Sequence, residues 1–171
     1  MAQKRKIPGD IKRRLADLKA IFLEVDGVLT NGKLIYDLNG TEYKQFHFRD
    51  AAAVPPLQQA GIVVGVVSAR ESGIVTKWCA DLRMEFCHQG ILDKASTVTK
   101  LAAHYRLKLK EIAFIGSDFS DVPVFEMVGL AVTTSDAPEN VRRECDLVTR
   151  AKGGSGAFRE LADLVLQKRN S

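Results

Sequence analysis

Glu24-Val25-Asp26-Gly27, Ser68-Ala69-Arg70, Asp93-Lys94 and Gly116-Ser117-Asp118-Phe119-Ser120-Asp121 are four polar clusters in this chain, three of them ending short apolar runs. Their side chains have complementary chemistry. Carboxylates brought from two strand ends can coordinate a hard cation such as Mg²⁺, which prefers oxygen ligands and keeps several waters. The Ser68 hydroxyl and the Lys94 ammonium suit phosphate oxygens. Nucleophilic carboxylate, charge neutraliser and oxygen clamps are together the parts of a phosphoryl-transfer site. Each cluster also has a plain structural reading. Glu-x-Asp-Gly after a strand can be a turn with solvated acids, and Asp118 and Asp121 can cap the helix that follows them. What joins the four is their order, on consecutive strand-to-helix corners.

The elements that must position them alternate along the chain. Ala20–Val25, Ile62–Val67, Met84–Cys87, Ile112–Ile115, Leu130–Val132 and Asp146–Val148 read as short buried strands. Between them, Val54–Ala60, Ser72–Leu82, Lys94–Tyr105, Val122–Val128 and Phe158–Leu166 read as helices. Asp37-Leu38-Asn39-Gly40 separates Lys33–Tyr36 from Glu42–Phe48, which predicts a β-hairpin. Strands alternating with helices imply an α/β domain with a mainly parallel sheet covered on both faces. In such sheets the ligand crevice lies beyond the strand C-termini, where the polar clusters fall.

With 171 residues, 46% hydrophobic and 27% charged, the chain fits one globular domain rather than a disordered protein. No apolar run is long enough to span a membrane, and the basic N-terminus runs into Pro8-Gly9-Asp10 instead of an apolar signal core, so the expected compartment is the cytoplasm. Three cysteines without C-x-x-C spacing, Cys79, Cys87 and Cys145, read as small hydrophobes in a reducing compartment. Net charge is +4, with Lys4, Arg5, Lys6, Lys12, Arg13 and Arg14 crowding the start. Residues 1–17 are expected to be a solvated basic leader and 18–171 the single domain. No aromatic residues interleave with the basic ones, so nucleic acid is an unlikely partner.

The motifs resemble those of the haloacid dehalogenase superfamily, and within it the cap-less phosphatases acting on 3-deoxy-D-manno-octulosonate 8-phosphate. The resemblance runs from about residue 18 to 167 through Val25-Asp26-Gly27-Val28-Leu29-Thr30-Asn31-Gly32, Phe46-His47-Phe48-Arg49-Asp50 and Val67-Ser68-Ala69-Arg70. It continues through Gln89-Gly90 with Asp93-Lys94, Ile115-Gly116-Ser117-Asp118-Phe119-Ser120-Asp121 and Gly153-Gly154-Ser155-Gly156-Ala157-Phe158-Arg159-Glu160.

The resemblance implies a Rossmann-like three-layer core with a protruding hairpin, a Mg²⁺ cofactor, a small phosphorylated sugar acid as substrate and a homotetramer joined through the hairpins. The apolar Leu34, Tyr36, Tyr43, Phe46 and Phe48 are consistent with such an interface. By the same resemblance Glu24, Asp26, Ser68 and Lys94 are the catalytic residues, Glu24, Asp26, Ser117 and Asp118 the metal ligands, and Asp121 supports them. Arg49, Ala69 and Arg70 are the expected substrate contacts, the arginines facing its carboxylate. The sequence departs from the family pattern where the chemistry lies. Glu24 replaces the attacking Asp, Ser117 a metal-binding Asp, Ala69 and Ala51 two glycines, and Ser155 an arginine of the tail. Two functions therefore follow: a phosphatase impaired by its glutamate, or a non-catalytic phosphatase-like module serving oligomeric assembly.

Overall fold

A computed structural model describes residues 8–169 of the chain. It opens with helix α1 (Gly9–Asp17) and strand β1 (Ala20–Leu23), then the two-residue strands β2 (Ile35–Tyr36) and β3 (Glu42–Tyr43). Short helices α2 (Phe48–Ala51) and α3 (Val54–Gln59) lead into β4 (Val63–Val67), α4 (Gly73–Asp81) and β5 (Phe86–His88). Then come α5 (Lys94–His104), β6 (Ile112–Gly116), α6 (Val122–Phe125) and β7 (Leu130–Thr133). The last elements are α7 (Glu139–Arg143), β8 (Leu147–Val148) and α8 (Ala157–Arg169).

Six strands form one sheet in the order β5-β4-β1-β6-β7-β8, every neighbouring pair parallel. Parallel strands need both faces covered, and the period of two along β1 supplies both. Ile21 and Leu23 point into a core with Leu15, Leu57, Val75 and Leu161, from α1, α3, α4 and α8. Ala20 and Phe22 point the other way, toward Val98, Leu101, Val124 and Val141 from α5, α6 and α7. Each fully buried Leu, Ile or Phe contributes roughly 1.5–3 kcal/mol through removal from water. This is the three-layer α/β architecture that the strand-helix alternation predicts.

Position follows from register. Leu23 pairs with Val66 on one side and Ile115 on the other, so β1, β4 and β6 end level. Glu24, Ser68 and Gly116 thus come to one edge of the sheet, where β4 and β6 diverge to opposite sides of β1.

Three elements differ from the sequence expectations. The leader predicted over residues 1–17 is helical from Gly9, with Ile11 and Leu15 buried against α8. Their i, i+4 spacing makes one apolar stripe among charged neighbours. Its first residues, with Lys4, Arg5 and Lys6, lie outside the described part. The hairpin is shorter than its sequence arms, because Phe48 already starts α2, where the His47 ring nitrogen accepts the Arg49 N–H at 3.1 Å. α6 stops at Phe125 rather than Val128, its end tightening through Met127 N–H to the Val124 carbonyl. Among the described residues no helix is long and apolar enough to cross a membrane.

Candidate active site

Glu24 continues the β1 ladder by donating its N–H to the Ile115 carbonyl at 2.9 Å, and its side chain is buried. One carboxylate oxygen, Oε1, accepts the N–H of the next residue, Val25, at 2.7 Å. The other, Oε2, faces the Ala69 N–H at 3.4 Å and takes a close contact from Lys94 Nζ. Lys94 is the first residue of α5, whose start is fixed by Asp93 accepting the Ser96 N–H at 2.9 Å. Its ammonium also donates to Asp121 Oδ1, so one buried lysine joins the corners after β1 and β6. Burial opposes the charge on Lys94, but the Glu24 and Asp121 carboxylates outweigh it and raise its pKa above that of an ordinary lysine.

Asp121 has a second task. Its Oδ2 accepts the N–H groups of Ser117 and Asp118 at 2.8 and 3.0 Å, tying the turn after β6 to the lysine. The space for it exists only because residue 116 is glycine: a Cβ there would stand 2.5 Å from Asp121 Oδ2.

The loop after β1 turns at Gly27, at φ +83°, where a Cβ would meet Ser117 Oγ at 2.2 Å. The N–H groups of Val28, Leu29 and Thr30 all converge on the Val25 carbonyl at 2.9–3.2 Å. The turn presents Asp26 to a second set of partners. Thr30 Oγ1 donates to Asp26 Oδ1 at 3.1 Å, and Lys44 Nζ donates to Oδ1 and Oδ2 at 2.7 and 3.0 Å. Arg70 reaches Asp26 Oδ2 at 3.4 Å and Glu42 Oε2 at 2.8 Å.

Ser68 is buried at the end of β4, its N–H on the His88 carbonyl and its own carbonyl accepting the Ile91 N–H. The structure therefore brings Glu24, Asp26, Ser68, Ala69, Arg70, Lys94, Ser117 and Asp121 to one crevice. Asp118 is exposed, and its carboxylate accepts from Ser120 Oγ at 3.3 Å rather than joining Glu24. Arg49 is exposed on a neighbouring cleft of about 360 Å³, with Ser155, Gly156 and Arg159. The sequence reading missed Lys44, Glu42 and Thr30. Glu42 and Lys44 alternate on one face of an arm after the Asn39-Gly40 turn, the one available signal, but nothing local names Asp26 as their target.

A divalent cation fits part of this set. Ser117 Oγ lies 2.9 Å from the Asp26 carbonyl oxygen, to which it donates. That separation is what adjacent corners of an octahedron present at metal–oxygen distances of about 2.0–2.1 Å. Glu24 stands two residues before Asp26 on the same strand end. Among the described residues no three His, Cys, Asp or Glu side chains converge as a metal cage.

Comparison with known proteins agrees with this geometry. The family of haloacid dehalogenase-like hydrolases matches residues 81–161. The chain is 38% identical over 157 residues to the 3-deoxy-D-manno-octulosonate 8-phosphate phosphatase of Haemophilus influenzae, covering 92% of this chain and 87% of that protein. It superposes on the crystal structure of the Yersinia pestis 3-deoxy-D-manno-octulosonate 8-phosphate phosphatase with a TM-score of 0.93 at 31% identity, covering 95% and 88% of the two chains. The Moraxella catarrhalis phosphatase of the same name, solved in complex with magnesium ion, phosphate ion and a KDO molecule, gives 0.92 at 30% identity, covering 94% and 92%. With its sheet order, its strand-end acids and its buried lysine, the chain belongs to the 3-deoxy-D-manno-octulosonate 8-phosphate phosphatase family of haloacid dehalogenase-like hydrolases.

Proposed function

We propose that the chain is a phosphatase of a small phosphorylated 2-keto-3-deoxy sugar acid, of the 3-deoxy-D-manno-octulosonate 8-phosphate type, slowed by glutamate at the attacking position. The observation that carries this reading is Lys94, buried between Glu24 and Asp121 with Asp26 on the next turn. A buried lysine bridging two strand-end acids fixes the Glu24 carboxyl group at the end of β1, where an in-line nucleophile would stand.

The residues divide the work. A Glu24 carboxylate oxygen attacks phosphorus, or positions the water that does, as the ester oxygen leaves. Asp26 gives its proton to that oxygen and later takes one from the water that completes hydrolysis. Ser68 and Lys94 hold the phosphoryl oxygens, joined by the Ala69 N–H that faces Glu24 Oε2. Mg²⁺, held by Glu24, the Asp26 carbonyl and Ser117, would neutralise phosphate charge when bound. Arg70 and Arg49 face the substrate's carboxylate, Arg49 from the cleft beside the crevice. The exposed Leu34, Ile35, Tyr36, Leu38 and Tyr43 of the hairpin support a homotetramer, which light scattering would measure. A reducing cytoplasm suits its free cysteines.

One observation favours the second reading, a non-catalytic assembly module. The extra methylene lets Glu24 fold back so that Oε1 is occupied by the Val25 N–H at 2.7 Å. A nucleophile displaced by about 1 Å can lose on the order of 100-fold in rate.

Phosphate release from 3-deoxy-D-manno-octulosonate 8-phosphate with Mg²⁺ decides between them. The expected result is slow turnover in the native chain, none in Asp26→Asn, and a gain of roughly 100-fold in Glu24→Asp. Silence in all three folded proteins would overturn the phosphatase in favour of the module.

A further inference from the structure

Lys44 belongs to none of the strand-end clusters, yet it is placed more tightly than most lysines. Its side chain is 2% exposed, although it stands on a hairpin of two-residue strands. Its ammonium is caught between Asp26, at 2.7 and 3.0 Å, and Glu42 Oε1, at 2.9 Å. The two holds differ in geometry. Lys44 reaches both carboxylate oxygens of Asp26 but only one, Oε1, of Glu42. Arg70 closes the arrangement by reaching both acids.

We propose that Lys44 is a phosphate-binding residue of the crevice, carried by the hairpin and kept in place by Glu42. This deepens the phosphatase reading and rests on it. A phosphate dianion entering the crevice comes beside the acidic Glu24, whose lysine, Lys94, is already shared with Asp121. Lys44 is the nearest further ammonium on the Asp26 side. It can turn a hydrogen from Asp26 to a phosphate oxygen while Glu42 still balances its charge. Its chain is already ordered and its charge already buried, so binding pays little of the usual entropy of fixing a lysine. Arg70, more exposed and 3.4 Å from Asp26, helps hold Asp26 and Glu42 from the rim.

The test uses inorganic phosphate as the probe, titrated by calorimetry in the presence of Mg²⁺, on the full chain. Lys44→Met is expected to weaken phosphate binding at least about tenfold, the loss of one charge-assisted hydrogen bond. Lys44→Arg should recover most of it, and Arg70→Met should lose only a few-fold. A hairpin latch of purely structural value would leave phosphate affinity unchanged in a folded Lys44→Met protein, and that result overturns the proposal, as does absence of phosphate binding by the native chain. Should Lys44→Met fail to fold, Glu42→Gln keeps the ammonium but loosens it. A few-fold weaker phosphate supports the role, and native affinity refutes it. If affinity follows Lys44 while no sugar-acid phosphate is hydrolysed by any variant, the catalytic reading fails and the phosphate site stands.

Discussion

Two lysines flank the same strand end, and their surroundings differ. Lys94 sits between Glu24 and Asp121 with all three side chains at most 7% exposed, every partner carried by a core strand end or the helix beside it. Lys44 is equally buried, but its acids Asp26 and Glu42 are 19% and 18% exposed, and Arg70, which shares them, is 39% exposed. The first cluster is held by the sheet. The second forms only where a short hairpin lays across the crevice. An ion pair cut off from water is part of the framework, because losing either member strands a buried charge. A pair at the rim can trade one anion for another, which is what a ligand requires.

The largest effect expected from this contrast is that of Lys94→Met. Two buried carboxylates lose their cation, and the fold should lose about 3–5 kcal/mol in urea unfolding. A loss below about 1 kcal/mol would mean the two clusters do not differ in kind. Gly27→Ala comes next, since its left-handed φ and the 2.2 Å approach to Ser117 Oγ both oppose a side chain. The expected cost is about 1–3 kcal/mol, read by the same method, together with weaker binding of divalent cation in calorimetry.

For Lys44→Met the stability loss should be smaller, about 1 kcal/mol, because its acids are partly exposed and keep Arg70 as a partner. The loss should shrink further in 0.5 M salt, by screening, while that of Lys94→Met stays constant. A salt-independent loss at Lys44 would make it a second framework lysine.

The smallest effect sharpens the comparison with a buried acid that lacks a buried lysine. Asp50 is fully buried, its Oδ1 accepting the Arg159 N–H of α8 at 2.7 Å and its Oδ2 unpartnered. Burial raises its pKa above the usual 3.8, against the pull of the Arg159 and Gly156 N–H groups. The folded value is above the unfolded one, so its contribution to stability is whole below the unfolded pKa and fades as pH rises through the folded one. Relative to Asp50→Asn, the native chain should therefore lose stability on going from about pH 3.5 to neutrality, in urea melts at each pH. A difference that is flat with pH, or of opposite slope, would show that the Arg159 and Gly156 N–H groups outweigh burial.

Much of the first cluster was legible. Apolar runs of four or five residues that end in charge or glycine mark buried parallel strands, and Glu24, Ser68, Lys94 and Asp121 all stand at their corners. Asp121 was readable as a cap, and it does hold the turn, but its bond to Lys94 joins residues 27 positions apart. Asp118, adjacent in sequence to Ser117, has its carboxylate on Ser120 Oγ, a placement that adjacency alone does not reveal. Charge masked α1, whose Ile11 and Leu15 are an apolar pair inside a basic stretch.

Sequence alone determined the layered α/β fold and the polar residues that stand at its strand ends. These follow from periodicity, from turn chemistry and from residue type, all local properties. Tertiary structure alone decided that the Glu24 carboxylate folds back on Val25, that Ser117 meets the Asp26 carbonyl, and that Lys44 lies between Asp26 and Glu42. The last two depend on where a side chain or a short hairpin finds a free oxygen or an opposite charge across the crevice, and the first on how the packed strand end orients the Glu24 side chain. Such partners are fixed only once packing has removed water and left no other.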